Sequence, residues 1–446
     1  MDDYLIRKKP MQALIIFALP MIIGNFFQQF YTMADSVIVG RFVSEQALAA
    51  VGASASFTNI FIFIASGGGI GASVIVSQYF GAKEFTGMKR AVSTALISFL
   101  AISVLFAGFG LIFGEKIMIL LNTPEDTLGL AVEYLNIYFL GLPFLFMYNV
   151  FSSMFNALGK SRIPLYFLIF SSIFNIVLDY YMVTALQMGV AGVAWATLIA
   201  QGISAVLSFL VFMKELKQYE GEAGRVFEWD ELVSMTRIAF PSILQQSTVS
   251  IGMMLVQSVV NSFGSQALAG FSAGVRIESL CIVPMAAIGN AISSYTAQNI
   301  GAGKQERVVE GYRAANRMVI FFAVIICLIL QLFNKQIILF FLGENGTEAA
   351  ISTGQNFMSF LGWFFCLIGF KMAVDGVLRG AGDMKMFTIA NLVNLSIRVI
   401  LSVTLAPVFG IAMIWTAIPI GWFANWAISF AQYRTGKWRL VRVNHA

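Results

Sequence analysis

From Met11 to Ala34 the chain carries no charged residue; a carboxylate, Asp35, then opens a further apolar stretch, Val37-Ile38-Val39. An uncharged run of this length reaches across a bilayer, which takes about 20 helical residues. In hydrocarbon every backbone N–H and C=O has to be paired inside the segment, so the run predicts a membrane helix. A carboxylate within such a helix is costly and must face protein or water rather than lipid. Gln28, Tyr31 and Asp35 are spaced i, i+3, i+7 and share one helical face. The segment reads as a spanning helix whose polar stripe ends in a titratable group. It is also too long for the apolar core of a cleaved signal, so it is expected to remain as a span.

The rest of the chain repeats this pattern. Only 11% of its 446 residues are charged and 58% are hydrophobic, whereas soluble domains carry about 25% charge. The expectation is an all-α integral membrane protein with twelve spans, at 11–39, 47–77, 91–114, 128–155, 163–185, 189–213, 238–261, 267–297, 314–334, 350–378, 386–408 and 410–433. Turn signals separate many of them: Gly81-Ala82-Lys83-Glu84, Gly159-Lys160-Ser161-Arg162, Gly301-Ala302-Gly303-Lys304 and Gly382-Asp383-Met384-Lys385. The longest charged connection, 214–237, divides an N-terminal six-helix bundle (1–213) from a C-terminal bundle with its tail (238–446). With the N-terminus inside, 22 of the 28 Lys and Arg fall in inside segments, which places both termini in the cytoplasm of a multi-pass protein.

The halves repeat at a near-constant offset. Gln46-Ala47-Leu48-Ala49 recurs as Gln266-Ala267-Leu268-Ala269, Trp195 as Trp415, Pro20 as Pro241, and Asn175 as Asn394. Six spans per half give the repeats one orientation, related by an axis along the membrane normal. Two such bundles enclose a cavity, and rocking them gives alternating access. The charges do not repeat: no acid stands near Val256 to match Asp35, and Arg398 stands where Asp179 would recur.

Several chemistries are argued against. The three cysteines lie in separate apolar segments without metal or redox spacing, and the single histidine, His445, is in the tail. Proton chemistry inside the membrane then has to use carboxylates. No Gly-Lys-Ser/Thr follows Gly67-Gly68-Gly69, so no nucleotide site is expected. Basic residues are scattered among short connections, which disfavours nucleic acid. The expectation is a non-enzyme without cofactor, driven by a gradient, with the bilayer as its surroundings and a monomer as the simplest state.

Asn175 and Asp179 are i, i+4 and share a face. Asp35 and Asp179 are the acids well placed within the first bundle. Brought together they make a proton site, and with the Asn175 amide and Thr197 hydroxyl they equally suit a sodium ion. A structural ion pair of Asp179 with an interfacial base is the alternative. Tyr31 and Tyr138, with Gln28 and Asn149, are candidates to line a substrate pathway, where aromatic faces attract flat organic cations. In the second half Arg276, Glu278, Lys371, Asp375 and Arg398 form a candidate gating or charge network: Lys371 and Asp375 are i, i+4, and Arg398 has Asp375 or Glu278 to meet.

The two six-span repeats, Pro20 with Gln28-x-x-Tyr31-x-x-x-Asp35-x-x-x-x-Gly40-Arg41, Gln78-x-x-Gly81-Ala82 and Asn175-x-x-x-Asp179 together resemble the multidrug and toxic compound extrusion (MATE) family over essentially the whole chain. The resemblance implies a V-shaped pair of bundles in a bacterial plasma membrane. It also implies export of small organic cations in exchange for protons or sodium. Asp35, Asn175, Asp179 and Thr197 would form the ion site, with Gln28 and Tyr31 on the pathway. A flippase for lipid-linked oligosaccharides, from the same superfamily, is the competing expectation; its anionic substrate calls for buried bases, which the first bundle lacks. One departure stands out. Some branches carry an acid soon after the seventh-span proline, but Pro241 here is followed by Ser242-Ile243-Leu244-Gln245-Gln246-Ser247, which argues against a cation site of that type in the second bundle.

Overall fold

A computed structural model describes residues 3–221, 225–343 and 346–440, apart from the side chain of Ser56; Arg442 and His445 lie outside them. All four sequence turn signals contain a backbone reversal of left-handed conformation, at Lys83 (φ 60°), Gly159 (φ 77°), Gly303 (φ 70°) and Gly382 (φ 82°). Glycine adopts that region without the clash of a Cβ.

Between the reversals run helices α1 (Tyr4–Arg7), α2 (Pro10–Ile38), α3 (Glu45–Ala82), α4 (Phe85–Leu120), α5 (Glu125–Ala157), α6 (Arg162–Thr184) and α7 (Gly189–Leu216). The second half supplies α8 (Trp229–Asn261), α9 (Ser265–Gly301), α10 (Gln305–Leu342), α11 (Glu348–Gly362), α12 (Phe365–Ala381), α13 (Met384–Phe409) and α14 (Ala412–Arg434). Among the described residues ten helical segments are long and apolar enough to cross a bilayer, and α11 with α12 makes an eleventh as a pair bent by 54°. The 23-residue α14 stands where the twelfth span is expected. The protein is a multi-pass membrane protein. The expected unbroken span 350–378 is therefore two helices: the α-helical pattern stops at Gly362 and resumes at Phe365, with Trp363 at the break largely exposed.

Two compact units share the chain: Met1–Ile22 with Leu244–Ala446, and Ile23–Ile243. The changeovers fall inside α2 and α8, at equivalent repeat positions 221 residues apart. Pro20 and Pro241 sit within one turn of them, and each removes an i→i−4 hydrogen bond from its helix. Each unit has its own aromatic core. In the first-half unit Phe57, Phe61, Phe139 and Phe146 pack together; in the other, Phe357 stacks on Phe271 and Trp415. Large apolar side chains such as Leu105, Ile112 and Phe321 point outward, as a lipid-facing surface requires.

The Gly67–Gly71 run brings α3 against α8 within the first-half unit. A Cβ on Gly67 would lie 2.8 Å from the Ile243 nitrogen, and one on Gly71 would lie 2.6 Å from the Met235 carbonyl. Backbones approach this closely only where side chains are absent.

Candidate functional site

In the first-half unit α2, α5, α6 and α7 converge on one polar cluster. Asp179 and Asn175 on α6 are 0% and 1% exposed. The helical period puts both on one face of α6, and the i, i+4 spacing lets the Asn175 amide reach Asp179. Oriented to suit its neighbours, that amide donates to Asp179 Oδ2 at 3.2 Å and to the Tyr31 hydroxyl at 2.6 Å, and accepts from the Thr197 N–H at 3.1 Å. The Tyr31 hydroxyl also meets the Thr197 side chain.

Asp35, one helical turn beyond Tyr31 on α2, lies within hydrogen-bonding reach of Asp179. One oxygen of each, Asp35 Oδ1 and Asp179 Oδ1, is buried without a hydrogen-bond partner among the described residues. Neither carboxyl group forms an ion pair with Lys or Arg among those residues. Two carboxyl oxygens at hydrogen-bonding distance require a proton or another cation between them. Cation chemistry is what this arrangement can perform.

Sequence reasoning did not single out Tyr134 for this site. It sits on α5 close enough to interact electrostatically with both Asp35 and Asp179, and it stacks on Tyr138 at 6.5 Å between ring centroids. The available signal was its place one turn before Tyr138 on the same helical face. Tyr138 donates to the Thr58 carbonyl at 3.4 Å. Gln28 is exposed, and its carbonyl accepts from Thr32. Asn149 donates to the Leu145 carbonyl of its own helix at 2.9 Å. These three stand outside the carboxylate cluster's hydrogen bonds.

The second-half candidates separate into two groups. Lys371 and Asp375 pair on α12 at 3.3 Å, 5% and 3% exposed. Ser429 donates to Asp375 Oδ1 at 2.6 Å, Asn391 to Oδ2 at 3.5 Å, and Asn425 to Asn391 Oδ1 at 3.0 Å. Arg379, one turn beyond Asp375, donates to Asn290 at 2.7 Å and to the Gly289 carbonyl at 3.3 Å. Arg398 on α13 instead interacts with Glu278 on α9. Arg276 is exposed and forms no ion pair among the described residues. Among the described residues no three His, Cys, Asp or Glu side chains cluster as metal ligands.

The chain is similar to known proteins along most of its length. The MatE family model matches twice, over residues 20–181 and 241–404, so the two matches correspond to the two sequence repeats. The probable multidrug resistance protein YpnP of Bacillus subtilis is 30% identical over 97% of both chains. A second Bacillus subtilis relative, the probable multidrug resistance protein YoeA, is 27% identical over 85% of this chain and 83% of its own length. Among solved structures, a MOP superfamily transporter from Pyrococcus furiosus superposes with a TM-score of 0.90 at 24% identity, over 97% of each chain.

Proposed function

The chain belongs to the MatE family, and from that premise we propose that it is a secondary active multidrug efflux antiporter, exporting organic cations in exchange for protons or sodium ions. One observation carries the reading: the contact of half-buried Asp35 with buried Asp179, which has no basic partner among the described residues. That contact needs one positive charge. A proton supplies it by bridging the two groups. A sodium ion would be held by the same hard oxygens, with the Thr197 hydroxyl in reach. An organic cation competes for the same negative charge, and this mutual exclusion is the coupling. Tyr31, Tyr134 and Tyr138 offer ring faces to a flat cation. The names of the Bacillus subtilis relatives support a multidrug substrate range. The protein acts as a monomer in a bacterial plasma membrane, with both termini cytoplasmic.

The test is ethidium efflux from proteoliposomes under an imposed pH gradient or sodium gradient, for the wild type and Asp35→Asn. One gradient should drive efflux, and Asp35→Asn should abolish it without loss of folded protein. Efflux driven by neither gradient would remove the antiport reading. Normal transport by Asp35→Asn would remove the ion site.

A further inference from the structure

The repeat copies the carboxylate site into the second-half unit with its sign reversed. Positions 31, 35, 175 and 179 recur as Gly252, Val256, Asn394 and Arg398. The asparagine is kept, both acids are gone, and a guanidinium stands at the position of Asp179. Beside them lies a small recess lined by Thr248, Gly252, Asn391, Asn394, Leu395 and Arg398, with Leu395 Cδ1 filling the place a Cβ on Gly252 would take. Arg398 Nε is buried there with no hydrogen-bond partner among the described residues, and so is Asn394 Oδ1. Gly421 lets α14 close over both: a Cβ there would lie 3.0 Å from Arg398 Cγ and closer still to Asn394 Oδ1.

We propose that the recess at Arg398 and Asn394 is an anion-recognition site, which takes the carboxylate of a zwitterionic solute. The Nε–H and the adjoining Nη–H of a guanidinium form the edge that grips a carboxylate in two parallel hydrogen bonds. In Arg398 the Nε half of that edge is uncommitted. Lys371 does not compete for the ligand, because Asp375 already neutralises it at 3.3 Å. Glu278, 5% exposed, is the internal anion. It attracts Arg398 without forming a hydrogen bond or direct ion pair among the described residues, so it balances the charge while leaving the guanidinium edge open. The inference goes beyond cation export and gives the second-half unit a recognition element of its own for a carboxylate.

The probes are rhodamine B, which carries a free carboxylate, and its ethyl ester, which does not. Binding to purified protein is read by fluorescence polarisation, with no gradient imposed. Arg398→Gln should weaken rhodamine B roughly 10- to 100-fold, the loss of a charge-assisted bidentate contact, and leave the ester within about twofold. Arg398→Lys should recover part of the loss, and Glu278→Gln should tighten rhodamine B binding. Equal losses for both dyes, unchanged preference in Arg398→Gln, or a wild type with no affinity for rhodamine B would each overturn the proposal. Gradient-driven efflux of the ester is a separate measurement, so failure of the antiport reading is distinguishable from failure of this one.

Discussion

Where the unit Ile23–Ile243 places Asp179, the unit formed by Met1–Ile22 and Leu244–Ala446 places Arg398; where the first has Tyr31 and Asp35, the second has Gly252 and Val256. Chain reversals between the helices nevertheless recur, although α5 is unbroken where α11 and α12 are two helices. Left-handed residues recur in pairs at Lys83 and Gly303, Asn122 and Gly343, Gly159 and Gly382, and Gly189 and Gly410, at offsets of 220 to 223. The comparison shows which properties the repeat conserves. Residues of positive φ at the chain reversals set the scaffold. The sign of the charge on the inward face of α6 or α13 is free to differ, because that face sees polar neighbours in either unit.

The largest effect is expected from moving one unit's charge into the other. Asp179→Arg would set a guanidinium beside Asp35 and neutralise it permanently. Gradient-driven ethidium efflux should fall by at least about a hundredfold, since an exchangeable cation is replaced by a fixed one whose removal would cost several kcal/mol. The variant should still fold, because the second unit tolerates arginine at the equivalent position. Retained efflux would mean that charge at this position does not set the unit's role.

A smaller effect separates the two units by stability. The carboxylate pair of the first unit has no basic partner among the described residues, whereas Asp375 is held by Lys371, Ser429 and Asn391. Lys371→Met leaves a buried acid with its base removed, at a cost of about 3 kcal/mol. Thermal unfolding in detergent should show the loss, and Lys371→Met combined with Asp375→Asn should recover much of it. A single variant as stable as wild type would show that the second network is not structural.

The sequence made the scaffold legible because membrane physics leaves few choices. Uncharged runs mark spans, glycines mark reversals, and a constant offset marks the repeat. Asn175 and Asp179 could be read as one face of one helix, and Asp35 as the only other acid well placed to meet them. Side chains whose meaning depends on a neighbouring helix were not legible. Tyr134 carries no charge and breaks no pattern until α5 is packed beside α6. Asn391 and Asn425 pair across α13 and α14, yet Ser172 and Ala205 stand at the equivalent first-half positions, so the repeat gives no hint of them. The break between α11 and α12 has no proline to announce it.

The smallest prediction concerns the arginines beside the paired turns. In the first-half unit Arg90 on α4 lies 3.4 Å from Glu228 and 3.6 Å from Glu231, and Tyr79 donates to Glu231 at 2.6 Å. In the other unit Arg307 on α10 instead donates to main-chain carbonyls, to Lys8 at 2.7 Å and Leu5 at 3.2 Å, and to Asn299 at 3.0 Å. Both arginines tie the residues that lead into α8 or α2 to a helical hairpin, but one uses carboxylates and the other carbonyl dipoles. Arg90→Gln should cost about 1 kcal/mol in dilute buffer, for a part-exposed ion pair in a network. That cost should shrink in about 1 M salt, where the screening length falls to about 3 Å. Arg307→Gln should cost about 1 to 3 kcal/mol through lost hydrogen bonds, with little salt dependence, because its partners carry no net charge. Thermal unfolding of both variants across a salt series reads the difference. Equal salt dependence would mean that the two contacts work through the same electrostatics despite their different partners.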